Sequence, residues 1–232
     1  MRKKYIMKNK ANCFIDFDGT IICNKRRLYK FFIDNIDSDY VKSITIKEFW
    51  NLKRMGINEI DWVNDKYDSL INKKTWNELK KKHIEDKEYL KFNKLFAYSV
   101  NAIDKIKSIY NLILVTRRSN KENFLSELKN YKIEKIFDDI LIINHSDNGK
   151  ADIIKKNYNV SNNDIIIGDT EDDLKAAVDL NIVGIFVKSG VRSEWIINRY
   201  FKNYAKILCF DNIDKIDFDK TNLLNRSLNY KL

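Results

Sequence analysis

The 232-residue chain contains no proline and only 6 glycines, so the residues that build tight turns are nearly missing. That excludes an all-β sandwich strung together by hairpins. Cysteine is scarce as well: Cys13, Cys23 and Cys209 are odd in number and follow no CxxC or metal-ligand spacing. A disulfide framework is excluded, and the thiols read as reduced, as in a cytosolic protein. No long apolar run is present. The basic stretch from Arg2 to Lys10 leads into apolar residues, but Asp16 and Asp18 interrupt them, so neither a signal peptide nor a membrane span is expected. What is there is ordinary globular material, with 44% hydrophobic and 33% charged residues. The length suits one domain, or one domain carrying a smaller inserted one.

The net charge is +10, with an excess of three over residues 1–23, five over 24–100 and two over 101–232. Lysine greatly outnumbers arginine, which is the preferred reader of phosphates and bases. The charge therefore reads as a solvated lysine coat rather than a nucleic-acid surface, although it still steers small anions inward.

Short runs rich in β-branched residues occur at 12–17, 111–116, 140–143, 164–168 and 182–187. Such runs suit strands buried on both faces of a parallel sheet. Helical stretches at 120–130, 150–158, 171–180 and 191–201 separate the later ones. This alternation predicts an α/β fold with a doubly wound parallel sheet, whose site lies at the carboxyl ends of its strands. Residues 24–100 break the pattern. Helix-like spacings such as Phe49, Leu52, Met55 and Trp76, Leu79, His83, with no convincing strand, predict a small inserted helical domain. The core is then 1–23 together with 101–232, and the tail after 210 is expected to pack on it as a last strand or helix.

Polar residues gather where the expected strands end. The first strand ends in Asp16-Phe17-Asp18-Gly19-Thr20, the second in Thr116 followed by Arg117 and Arg118. Lys150 opens a helix after the third, and the fourth ends in Gly168-Asp169 with Asp173 four residues on. Two carboxylates about 4 Å apart repel by about 4 kcal/mol at an effective dielectric near 20. Several together call for a cation, and hard oxygen donors without histidine or cysteine select Mg²⁺. Lys150 and the Thr116 hydroxyl then suit the oxygens of a phosphoryl group. Asp16 suits a nucleophile forming an aspartyl-phosphate, and Asp18 a group that protonates the leaving oxygen and later activates water.

These residues resemble, in order, the four motifs of the haloacid dehalogenase-like hydrolases. Asp16-Phe17-Asp18-Gly19-Thr20-Ile21 matches DxDGT[LI]; Thr116 after Leu112-Ile113-Leu114-Val115 matches the second motif and Lys150 the third. Gly168-Asp169-Thr170-Glu171-Asp172-Asp173 matches the fourth, GDxxxD. The resemblance spans residues 12 to about 190 and places a type-1 helical cap at 24–100. It implies a Rossmann-like core, Mg²⁺ on Asp16, Asp18 (through its backbone carbonyl), Asp169 and Asp173, and phosphate on Thr116 and Lys150. Members that cleave carbon–halogen bonds lack an acid at the position of Asp18, and phosphate-transferring pumps carry Lys-Thr there. Asp18 therefore implies a phosphatase, phosphoglycolate phosphatase-like in its cap, or a phosphomutase. Two residues depart from the pattern: Ala151 follows Lys150 where the family often has proline, and Cys23-Asn24 stand where well-known branches have Asp-Ser.

Plainer readings stand beside these. Thr116 would serve equally as a helix cap, Lys150 alone as a surface lysine, and Asp173 as a helix-dipole partner with Asp172 its rival one position away. Arg117 and Arg118 either face solvent or reach the substrate. His83 and His145 read as structural, Trp50, Trp62, Tyr67 and Trp76 as the core of the cap, and Lys80-Lys81-Lys82 as a wet helix face. The expectation is a cytoplasmic, Mg²⁺-dependent phosphomonoesterase acting on a small phosphorylated metabolite. A monomer or homodimer, with no membrane partner and no nucleic acid, completes it. The alternatives are a sugar-phosphate phosphomutase, and a nucleic-acid-end phosphatase or nucleic-acid-binding protein.

Overall fold

Apolar runs alternating with helices become one parallel sheet in the structure, a computed structural model that describes residues 10–67, 71–144 and 148–219. The chain starts with β1 (Asn12–Ile15) and a two-residue β2 (Ile22–Cys23). A helical segment follows: α1 (Lys25–Asp34), α2 (Asp39–Ser43), α3 (Ile46–Arg54), α4 (Glu59–Tyr67), α5 (Lys73–His83) and α6 (Lys87–Leu90). It ends at β3 (Lys94–Leu95). The regular alternation then runs through α7 (Ser99–Ile109), β4 (Asn111–Arg117), α8 (Lys121–Asn130), β5 (Asp139–Ile143), α9 (Lys150–Asn157) and β6 (Ile165–Gly168). It finishes with α10 (Glu171–Leu180), β7 (Val183–Val187), α11 (Glu194–Phe201) and β8 (Ile207–Phe210).

The large sheet has the order β5-β4-β1-β6-β7-β8, every neighbour parallel. This is the expected doubly wound, Rossmann-like α/β fold. β6 and β7 are buried throughout, as strands covered on both faces must be. One apolar layer gathers Ile15, Ile103, Leu114, Phe124 and Ile185 on one face; another gathers Phe14, Ile113, Ile154 and Ala177 on the other. The chain leaves β1 for β4 and β5 on one side, then crosses to β6, β7 and β8 on the other. The carboxyl end of β1 is thus the switch point where such sheets open a crevice. Past β8, Ile213 and Ile216 pack on the core, as expected of the tail, whose residues 220–232 lie outside the described residues.

The helical segment has an apolar cluster of its own, with Phe31, Phe32, Phe49, Ile60, Val63, Trp76 and Tyr89 buried and Trp62 and Tyr67 at its edge. Two expectations need correction. Trp50 is outside this cluster; it is half-buried, with Lys25 Nζ 5.8 Å from its ring. The segment also contains a strand, because Lys94 and Leu95 pair antiparallel with Cys23 and Ile22. Two residues show no periodicity in a sequence, so nothing could have announced them. The pairing sets the entry and exit of the segment side by side. Among the described residues no helix is long and apolar enough to cross a membrane, and all three cysteines are free thiols.

Candidate active site

Register brings the polar residues together. Ile15 pairs with both Leu114 and Ile167, so the residues that follow these three strands emerge at one rim. Asp16, directly after β1, donates its backbone N–H to Ile167 O at 2.9 Å and is 8% exposed. Lys150, the first residue of α9, is buried and donates from Nζ to Asp16 Oδ1 at 2.6 Å and to Asp173 Oδ1 at 2.5 Å. The other oxygen of Asp173 accepts from Thr170 N at 3.1 Å and Thr170 Oγ1 at 2.7 Å, holding the start of α10. Asp173 therefore does serve the helix end, and it faces Lys150 at the same time. Gly168 makes the fit possible: a Cβ there would fall 2.1 Å from Asp173 Cγ.

Asp169 is buried beside them. Its Oδ2 accepts from Val191 N at 2.6 Å, while Oδ1 is buried with no hydrogen-bond partner. Asp16, Asp169 and Asp173 each offer a carboxylate oxygen, and these oxygens lie within 4.8 Å of one another. One ammonium faces three carboxylates. Burial, outweighing Lys150, lifts Asp16 to about 7, with Asp173 adding to the rise. Burial likewise lifts Asp169, helped by Asp16 and Asp173. Burial opposes the charge on Lys150, but Asp16 and Asp173 overcome it and raise the ammonium above its ordinary value. A buried carboxylate oxygen without a partner, in a group of three carboxylates within 4.8 Å of one another, is a donor set that suits a hard cation. The residues fit Mg²⁺.

Asp18 is placed differently. Its side chain is not part of the acidic triad; Oδ2 accepts from Arg27 Nη2 at 2.6 Å and Oδ1 from Arg118 Nη2 at 2.8 Å. Burial works to raise this carboxyl, but Arg118 and then Arg27 hold it below its ordinary value. Arg118 is 2% exposed, with its guanidinium over the rings of Phe124 and Phe17 at 4.8 and 5.5 Å. Of the pair left open between solvent and the site, it is therefore Arg118 that reaches in. Arg117 instead faces Asn144 O and Asp172. Asp172 lies outward, its side chain 40% exposed, so Asp173 and not Asp172 joins the acidic residues. Thr116 is buried at the end of β4. It does not cap α8, a task that falls to Asn120, whose side chain accepts from Asn123 N at 2.9 Å.

Arg27, beside Asp18, is not foreshadowed by the sequence. It lies in the first turn of α1, inside the basic run Lys25-Arg26-Arg27, where nothing but the fold distinguishes it from a solvated neighbour. His83 sits 2.8 Å from Asp86 Oδ2, in keeping with a structural role, and His145 lies outside the described residues.

A parallel α/β sheet with an acidic crevice at the carboxyl end of its central strand defines a class of α/β enzymes whose chemistry sits at that switch point. Within that class the chain belongs to the haloacid dehalogenase-like hydrolases, whose family model matches residues 14–187. It is a hydrolase of that superfamily, as the resemblance implied. Solved structures agree in fold. A predicted phosphoglycolate phosphatase from Haemophilus somnus is similar with a TM-score of 0.66 and 15% identity, over 93% of this chain and 99% of that one. A predicted phosphatase from Clostridium acetobutylicum gives 0.63 and 17%, over 97% and 100%. A HAD hydrolase, family IA, variant 3, from Entamoeba histolytica gives 0.63 and 18%, over 93% and 99%. None of the curated proteins matches the chain.

Proposed function

We propose that the protein is a Mg²⁺-dependent phosphomonoesterase that works through an aspartyl-phosphate on a small phosphorylated metabolite, with the helical segment as its cap. The observation that carries this reading is the shared crevice of Asp16, Lys150, Asp169 and Asp173, where one ammonium faces three buried carboxylates. Asp16, Asp169 and the Asp18 backbone carbonyl would hold Mg²⁺, with Asp173 in support. When bound, the ion neutralises charge on the carboxylates and on the phosphoryl oxygens.

Lys150 holds Asp16 Oδ1, which leaves the other carboxylate oxygen to attack phosphorus in line with the ester oxygen. The Asp16 O–P bond forms as the P–O ester bond breaks, and Asp18 gives a proton to the departing alcohol. Lys150 and Thr116 orient the transferring oxygens. Water then attacks phosphorus, Asp18 takes its proton, and cleavage of the Asp16 O–P bond releases inorganic phosphate. In the arrangement seen here both arginines favour the ionised, base form of Asp18. Arg27 belongs to the cap, so cap movement relaxes one of the two contacts when the acid form is needed.

A panel of phosphomonoesters assayed with Mg²⁺, with EDTA and with Asp16→Asn tests the reading. Phosphate release that needs both Mg²⁺ and Asp16 is the expected result. Wild-type rates from Asp16→Asn would remove the nucleophile from the scheme.

A further inference from the structure

The turn between β7 and α11 touches the acidic crevice with one side and the helical segment with the other. On its inner side Val191 N–H donates to Asp169 Oδ2 at 2.6 Å, and Ser189 Oγ donates to Gly19 O at 2.7 Å. Gly190 lies so close that a Cβ there would stand 1.9 Å from Asp169 Oδ2. On its outer side Arg54 Nη1 donates to Lys188 O at 2.9 Å and to Gly190 O at 2.7 Å. Arg192 Nη1 donates to Lys53 O at 2.9 Å, and Ser193 N to Arg54 O at 3.0 Å. Lys53 and Arg54 are the last two residues of α3.

Two of these contacts meet on a single peptide. The carbonyl that accepts from Arg54 is that of Gly190, and the N–H that Asp169 accepts belongs to Val191, across the same amide bond. A peptide unit is planar and rigid, so its oxygen and its hydrogen turn together. Holding the oxygen fixes the direction of the N–H. Glycine on one side of the unit removes the steric barrier to rotation once that hold is released. The N–H in turn occupies Asp169 Oδ2 and leaves Oδ1 buried and unpartnered, on a carboxylate that has an oxygen within 4.8 Å of those of Asp16 and Asp173.

We propose that Arg54 is a positioning residue: by fixing the Gly190–Val191 peptide, docking of the helical segment presets Asp169 for a divalent cation. The proposal rests on the cation reading given above. Linkage makes the effect reciprocal, so Mg²⁺ favours docking by the factor by which docking favours Mg²⁺.

The test uses the whole 232-residue chain without substrate. Mg²⁺ binding is measured by titration calorimetry for wild type, Arg54→Gln and Arg54→Lys, with Arg199→Gln as control; Arg199 is exposed on α11 and stacks on Trp195. Arg54→Gln raises the dissociation constant about fivefold or more, in the range of ordinary coupling between sites. Arg54→Lys, a point donor in place of a fork, falls between, and Arg199→Gln changes nothing. In wild type, saturating Mg²⁺ slows hydrogen exchange at the Ser193 amide, which reports docking without any substitution. A folded Arg54→Gln with wild-type Mg²⁺ affinity overturns the proposal, as does Ser193 exchange indifferent to Mg²⁺. Wild-type protein that binds no Mg²⁺ overturns the cation reading itself, an outcome distinct from loss of the coupling alone.

Discussion

Arg27 of the helical segment lies 2.6 Å from Asp18 of the loop after β1, so the two layers of the molecule are joined by a partly buried ion pair. Arg118 grips the other carboxylate oxygen from the sheet side. Removing one arginine leaves Asp18 ionised but less well held. Arg27→Met is expected to lower stability by about 1–3 kcal/mol, less than the loss for a carboxylate left wholly unpaired. The pKa of Asp18 should rise, since one of its two lowering charges is gone. Urea unfolding and the acid limb of the activity profile measure the two effects. An unchanged acid limb would show that Arg27 does not tune Asp18.

Lys150 is the counterion of two buried carboxylates, and its loss strands both. Breaking a buried pair costs about 3–5 kcal/mol through the charge left behind. Lys150→Met should therefore destabilise the Mg²⁺-free protein by about that amount and abolish phosphate release. Added Mg²⁺ should recover part of the stability and none of the activity, because a cation replaces the charge of Lys150 but not the contact with the phosphoryl oxygens proposed for it. Thermal melts with and without Mg²⁺ decide it. Equal losses in both conditions would separate Lys150 from the cation site.

The crevice was legible because its residues follow strands. Asp16 and Asp169 stand just past β-branched runs and Lys150 opens the helix that follows one, and parallel register does the rest. Asp173 was legible through its i, i+4 spacing from Asp169 with a helix starting between them. Arg27, Arg54 and Arg192 were not. Their partners across the helical segment's docking surface are Asp18 for Arg27 and backbone carbonyls for Arg54 and Arg192, the last of which also pairs with Glu171. Composition carries no trace of such long-range pairing. Trp50 illustrates the reverse error, since an aromatic in an amphipathic helix reads as core although the helix turns it aside.

Protons and Mg²⁺ should compete. In the cation-free protein Asp16 sits at about 7 through burial, and Asp169 is raised for the same reason. Between the ordinary carboxylate value and about 7 the folded state holds protons that an unfolded chain has released. That contribution to stability therefore falls as pH rises through the window. Asp18, held low by its arginines, contributes in the opposite sense, but it loses its contribution only at more acid pH. Mg²⁺ requires the ionised carboxylates and expels the protons. Its stabilising effect should be small at pH 5.5 and larger at pH 8, following RT ln(1 + [L]/Kd). Calorimetric titration near pH 6.5 in buffers of different ionisation enthalpy should show proton release. A Mg²⁺-induced Tm gain equal at both pH values would contradict this account.

Gly168 offers a test of packing at the same place. Asp173 is wedged against it, with one oxygen on Lys150 and the other on the start of α10. A methyl at position 168 would meet both Cγ and Cβ of Asp173, at 2.1 and 2.5 Å. Neither is the loose end of a flexible side chain, since both carboxylate oxygens are engaged, and so the carboxylate must leave one of its partners. Gly168→Ala should lower stability by about 1–3 kcal/mol, as overpacking does, and weaken Mg²⁺ binding through the displaced carboxylate. Gly149 caps the neighbouring helix α9 with nothing within 4 Å of a Cβ. Gly149→Ala should cost no more than about 1 kcal/mol, the penalty of alanine at a helix N-cap without any clash. Chemical denaturation of the two variants compares a glycine required by close approach with one that is not. Equal losses would mean that the contact with Asp173 does not limit what position 168 accepts.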